Sequence, residues 1–108
     1  MLDLVSVDVF DSRSLVSVET PHGRFAIARV EESFYMFADS CTHASCPLSD
    51  GFLEGRVLTC ECHFSEFDVS SGRVLTEPAE SDLLVMEISR RDNMLIIDER
   101  QLASLGGT

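Results

Sequence analysis

Lysine is absent from the chain: all eight basic side chains are arginine, against nineteen acids. The missing lysine reads as compositional bias and excludes no function. The shortage of positive charge excludes more. A formal net charge of −11 leaves no basic face for nonspecific binding to nucleic acid or to an anionic membrane. It favours partners that carry basic patches. No apolar run approaches the roughly 18–20 residues that a membrane helix needs. The start, Met1-Leu2-Asp3-Leu4, has neither a basic segment nor a long apolar stretch. No secretory signal or membrane anchor is therefore expected, and the expected location is cytoplasmic. In that compartment cysteines serve more often as metal ligands or reactive thiols than as structural disulfides.

What is present fits one small domain. The 108 residues are 44% hydrophobic, enough for a modest core and too many for a disordered chain. Short alternating segments succeed one another between Gly, Pro, Asn, Asp and Ser. Val5–Val9, Leu15–Glu19, Arg24–Val30, Phe34–Ala38, Leu83–Ile88 and Met94–Ile97 all read as strands. Thr20-Pro21-His22-Gly23 and Arg91-Asp92-Asn93 read as turns, the second within a hairpin. His22 is expected to be an ordinary surface residue. No long segment has a helical period, so an all-β antiparallel sandwich or barrel is expected.

Residues 39–80 differ from the rest. They contain all four cysteines, two of the three histidines and little strand signal beyond Arg56–Thr59 and Arg73–Leu75. A loop-rich stretch of this length needs a cross-link, which a metal or cluster can supply. Cys41-Thr42-His43, with Cys46 behind it, forms one group of candidate ligands; Cys60-Glu61-Cys62-His63 forms another. Each group is followed by a turn glycine, Gly51 or Gly72. Thiolate and imidazole together suit zinc, copper and iron. A structural zinc module for protein interaction is one reading. However, Cys-x-His departs from the usual zinc-finger spacing.

Cys41-x-His43, sixteen intervening residues, then Cys60-x-x-His63, resembles the ligand motif of Rieske [2Fe–2S] proteins. The segments Pro47–Gly55, Phe64–Asp68 and Ser71–Val74 are similar to the stretches after the two ligand loops of Rieske-type ferredoxins, and Pro78 falls where the family places a third loop. The resemblance spans about residues 35–98. It implies a Rieske-type antiparallel β-sandwich with an inserted loop-rich cluster-binding subdomain. The base would be about 1–38 and 81–98, the insertion about 39–80, and residues 99–108 a tail. It also implies Cys41 and Cys60 on the inner iron and His43 and His63 on the outer one. Two ferric ions, two sulfides and two thiolates sum to zero when both imidazoles are neutral. Such a core takes an electron more easily than one with four thiolates.

Length and the expected lack of an anchor point, within that resemblance, to the small ferredoxin of an aromatic-ring-hydroxylating dioxygenase system. Such a ferredoxin is an electron carrier rather than an enzyme. Its expected partners are a flavin-containing reductase and a terminal oxygenase, and the expected state is a monomer. The alternative is a tightly bound small Rieske subunit of another oxidoreductase. Cys46 and Cys62 match positions that are disulfide-linked in membrane-complex Rieske proteins. A reducing cytosol argues against that bond, so a disulfide and a pair of thiols both stay open. Ser65 matches a position whose hydroxyl can donate to a bridging sulfide; a solvent-facing loop residue is the alternative. Phe67 stands where membrane-complex relatives carry a tyrosine. Six acids between residues 41 and 78 face only Arg56 and Arg73. Glu61 and Glu66 are the candidate charged docking residues, with Phe52 and Phe64 as apolar contacts or core residues.

Overall fold

A computed structural model describes residues 2–40, 46–61, 64–76 and 82–105. Ten strands run in order: β1 (Leu2–Ser6), β2 (Leu15–Thr20), β3 (Gly23–Val30), β4 (Ser33–Ala38), β5 (Phe52–Glu54), β6 (Val57–Thr59), β7 (Glu66–Asp68), β8 (Arg73–Val74), β9 (Val85–Arg91) and β10 (Met94–Asp98). One helix, α1 (Glu99–Leu105), comes after them among the described residues. Six strands form a sheet in the order β1-β10-β9-β4-β3-β2, and four form a second in the order β5-β6-β7-β8. Every pairing among the described residues is antiparallel. The expected all-β class is therefore observed.

The centre of the larger sheet explains how the two units join. In β3 all four of Phe25, Ala26, Ile27 and Ala28 are buried, so both faces of the strand are covered. Successive side chains point to opposite faces. Phe25 and Ile27 enter one core with Val7, Phe10, Phe34, Met36, Ile88, Leu95, Ile97, Leu102 and Leu105. Ala26 and Ala28 enter the other, with Leu15, Phe37, Leu48, Leu58, Cys60, Phe67, Val69 and Leu83. Small side chains on that second face let the four-stranded sheet approach closely. Its core contains a cysteine that the sequence nominates as a ligand.

Three local features depart from the sequence expectations. The strand expected over Val5–Val9 stops at Ser6. The Ser6 hydroxyl accepts the Asp8 N–H at 3.2 Å and opens a 3₁₀ turn over Val7–Phe10. Three-residue spacing buries Val7 and Phe10 together, which a strand would not do. The strand expected from Leu83 begins at Val85, because Leu83 N–H is bonded to Gly72 O at 2.7 Å. Where a tail is expected over 99–108, residues 99–105 form α1. Asp98 Oδ1 accepts Arg100 N–H at 2.9 Å at its start, and Leu102 and Leu105 are buried. Two core leucines in seven residues are too few to register as a helical period.

Candidate metal centre

Cys60 comes directly after β6 and is fully buried in the second core. Its backbone N–H donates to Ser65 O and its carbonyl accepts Phe64 N–H, both at 2.8 Å. These bonds pin both ends of the short turn that carries Cys62 and His63. The turn closes with Phe64 at φ +60°, a region that disfavours a bulky residue. Strain of this kind clusters at functional sites, where surrounding structure enforces it. Beyond the turn, β7 pairs with β6, setting Phe67 opposite Leu58.

Gly51, which follows the first group in the sequence, packs closely against β6. A Cβ there would lie far inside the contact distance of Thr59 O, the carbonyl just before Cys60. Only glycine lets this turn close against β6. Gly72 combines a φ of +80° with an equally close approach to Leu83 O. The two turn glycines of the sequence are thus points of close backbone approach, Gly51 to β6 within the four-stranded sheet and Gly72 to the chain just before β9.

Of the four expected ligands, Cys41, His43 and His63 lie outside the described residues, as do Cys62 and Pro78. Cys60 is a buried thiol in an apolar core. Burial is costly for an isolated thiolate and much less so for one bound into a neutral core. The donor chemistry of this position therefore fits a thiolate-ligated cluster. Cys46 is half-buried and disulfide-bonded, with its partner outside the described residues. His22 is exposed in the turn joining β2 and β3, its N–H donating to Thr20 Oγ1 at 3.1 Å.

A family model for the Rieske [2Fe-2S] domain matches residues 2–89. The chain belongs to this family. Membership carries the Rieske [2Fe–2S] cluster with it and sets the zinc reading aside. The chain is 31% identical over 96 residues to the ferredoxin component of naphthalene 1,2-dioxygenase/salicylate 5-hydroxylase systems of Ralstonia sp., covering 89% of this chain and 91% of that one. It is 30% identical over 97 residues to the naphthalene 1,2-dioxygenase ferredoxin component of Pseudomonas aeruginosa, covering 90% and 93%. Among solved structures, it is similar to a chain of the complex of reduced oxygenase and oxidized ferredoxin in carbazole 1,9a-dioxygenase. The TM-score is 0.78 and the identity 26%, with 87% and 91% of the two chains covered.

Several other residues singled out in the sequence of this Rieske domain are among the described ones. Ser65 is fully buried, which removes the solvent-facing alternative for its hydroxyl. Phe67 is also fully buried, in the same core as Cys60. Phe52 and Phe64 are 59% and 66% exposed, so neither is a core residue. Phe52 pairs with Thr59, the residue before Cys60, while Phe64 N–H bonds Cys60 O; both residues therefore flank Cys60. Glu61 is exposed beside them, with Asp50 and Glu54 on the adjoining turn and strand, and Glu66 is half-buried. Asp68 is tied into its own turn. The Ser70 hydroxyl bonds its carboxylate at 2.6 Å, the Ser70 N–H does so at 2.9 Å, and Arg56 stands 3.6 Å away. The Ser70 hydroxyl leads in holding Asp68 below the usual carboxylate range, with Arg56 assisting.

Sequence reasoning missed one residue of the site. Asp39, at the end of β4, is the only charged residue in the buried set among the described residues. Its Oδ1 accepts Ser49 N–H at 2.7 Å and its Oδ2 the Ser49 hydroxyl at 2.6 Å. Arg24 Nε stands 2.9 Å from Oδ2, an ion pair not aligned as a hydrogen bond. A carboxylate following an apolar strand, two residues before the Cys-x-His motif, was the available signal. Its partners are ten and fifteen residues away, so local pattern could not supply them.

Proposed function

We propose that this Rieske protein is a one-electron carrier, passing electrons from a flavin-containing reductase to a terminal aromatic-ring-hydroxylating oxygenase. The observation that carries this is the near full-length similarity to ferredoxin components, about nine-tenths of both chains. The cluster, when bound, supplies a single reversible electron. Cys41, His43, Cys60 and His63 would hold it. Two thiolates and two neutral imidazoles keep the site uncharged in its oxidised form, which suits the apolar core around Cys60.

The chain's own residues would do three jobs. The pinned turn from Cys60 to Ser65 would hold its ligands in place. Phe52 and Phe64 would offer an exposed apolar contact beside the ligand loop. Glu61 and Glu66, with Asp50 and Glu54 nearby, would steer basic docking faces, in keeping with the net charge of −11. Cys62 is the partner we assign to Cys46, which would clip the two ligand loops together. The protein would act as a monomer in the cytoplasm.

The test begins with EPR of the purified, dithionite-reduced protein, which should give a Rieske spectrum. His43→Ala and His63→Ala should each lose or strongly disturb it, and His22→Ala should not. Stopped-flow mixing of the reduced protein with a ring-hydroxylating oxygenase should show one-electron transfer, with an encounter rate that falls as salt rises. A complex that persists undiminished at physiological salt would favour a tightly bound subunit instead. An intact Rieske spectrum in the His63→Ala protein would overturn the ligand assignment.

A further inference from the structure

A fully buried carboxylate is costly unless its charge and its lone pairs are all met. The Asp39 side chain is fully shielded from solvent, and its contacts share one feature. They join Asp39, just before the first ligand loop, to Ser49, just after it, and Asp39 itself to Arg24 at the start of β3. Asp39 N–H also donates to Arg24 O at 3.1 Å, extending the β3–β4 ladder to the loop's first residue. The enclosed residues 40–48 contain Cys41, His43 and Cys46. The second ligand turn is closed differently, by the backbone bonds between Cys60, Phe64 and Ser65. A backbone bridge reaches across a short turn. The nine residues between Asp39 and Ser49 are instead bridged by a side chain.

We infer that Asp39, Arg24 and Ser49 form a clamp that positions the first ligand loop on the base sheet and keeps its ligands on the cluster. The inference rests on the ligand assignment proposed above. A chelated group leaves when the loop holding some of its donors opens, and loops open by local fluctuation at a lower cost than global unfolding. Hydrogen bonds from Ser49 to a charged acceptor set part of that local cost. Losing one that involves a charge shifts such an equilibrium by roughly tenfold to a hundredfold. The clamp therefore controls cluster retention separately from overall stability. Asp39 is a positioning residue, acting through the loop and not by ligation.

The experiment tracks cluster loss from the intact holoprotein by its visible absorbance, in excess iron chelator at fixed temperature and pH. Far-UV circular dichroism and urea unfolding are recorded on the same samples. Asp39→Asn keeps the shape but places an amide donor among partners that only donate or must reorient. It should release iron roughly tenfold to a hundredfold faster than the parent while still folded. Ser49→Ala removes the hydroxyl and spares the backbone bond, so it should show a smaller acceleration. It also carries the test if the Asp39 variant fails to accumulate. Arg24→Lys, which keeps the charge, should release more slowly than Arg24→Gln. Leu102→Ala weakens the base core without touching the clamp and should release iron at the parent rate under folded conditions. Parent-rate release in both Asp39→Asn and Ser49→Ala would overturn the inference. So would equally fast release from Leu102→Ala, because retention would then track global stability. A parent protein without a Rieske EPR spectrum would overturn the proposed function on which the clamp rests; a normal parent spectrum with inert clamp variants would overturn the clamp alone.

Discussion

Gly51→Ala and Gly72→Ala add the same methyl group at two close backbone approaches of the four-stranded sheet and should differ in cost. Gly51 has an ordinary backbone conformation, so its penalty is steric alone. The new Cβ would press on Thr59 O and must push β6 or the preceding turn aside. Overpacking of this kind costs about 1–3 kcal/mol. Stiffening of the unfolded chain returns about 0.4–1 kcal/mol. The net loss should be about 1–2 kcal/mol. Gly72 adds two further effects. Its φ of +80° costs an L-residue about 1–2 kcal/mol. Relieving the clash with Leu83 O also strains the bond from Leu83 N–H to Gly72 O, worth about 0.5–1.5 kcal/mol. Gly72→Ala should therefore lose about 2.5–5.5 kcal/mol, a large part of the roughly 5–15 kcal/mol that holds a domain of this size. Urea melts of the two holoproteins, monitored by circular dichroism, measure both. Gly51→Ala should additionally perturb the visible spectrum, since Thr59 precedes Cys60. Equal losses, or a stabilised Gly51→Ala protein, would refute the geometric reasoning.

Three further outcomes are expected from the same structure. Leu102→Ala should lose about 2–5 kcal/mol by emptying a fully buried site between α1 and the β10 core, measured as a shift in the urea midpoint; a loss below about 1 kcal/mol would mean that the helix is dispensable. The pKa of Asp68 is lowered on folding, so its charged form stabilises the protein above the ordinary carboxylate range, and that contribution disappears as pH falls through the lowered value. Urea midpoints of parent and Asp68→Asn should differ most near neutral pH and converge in acid; a constant difference would refute the linkage. Phe64→Gly should relieve the backbone strain at φ +60° and remove a ring that is 66% exposed. Stability should change by less than about 1 kcal/mol because the effects oppose, whereas affinity for the oxygenase, measured by titration calorimetry, should fall if the ring is a docking contact.

Much of the molecule was legible in the chain because its signals are local. Alternation in Arg24–Val30 and Phe34–Ala38 marked the central strands, since sheet pleating gives every strand the same period of two. The Cys-x-His and Cys-x-x-His spacing carried the resemblance to the Rieske family that the family model then matched, since residue type and spacing are properties of the sequence. Tertiary structure decided what depended on distant partners. Phe52, Phe64 and Phe67 are the same residue type within sixteen positions, yet only Phe67 is in the core. The pairing of β6 with β5 and β7 selects which ring turns inward. Ser65 was undecided until backbone bonds to Cys60 drew it inside. Helix α1 exists because Leu102 and Leu105 meet β10 and the 3₁₀ turn, not because seven residues would form a helix alone. Asp39 carried no signal of its own in the sequence. Its burial and its role depend on Arg24 and Ser49, which the folded sheet brings to it, because charge pairing in a low-dielectric interior is set by distance in space.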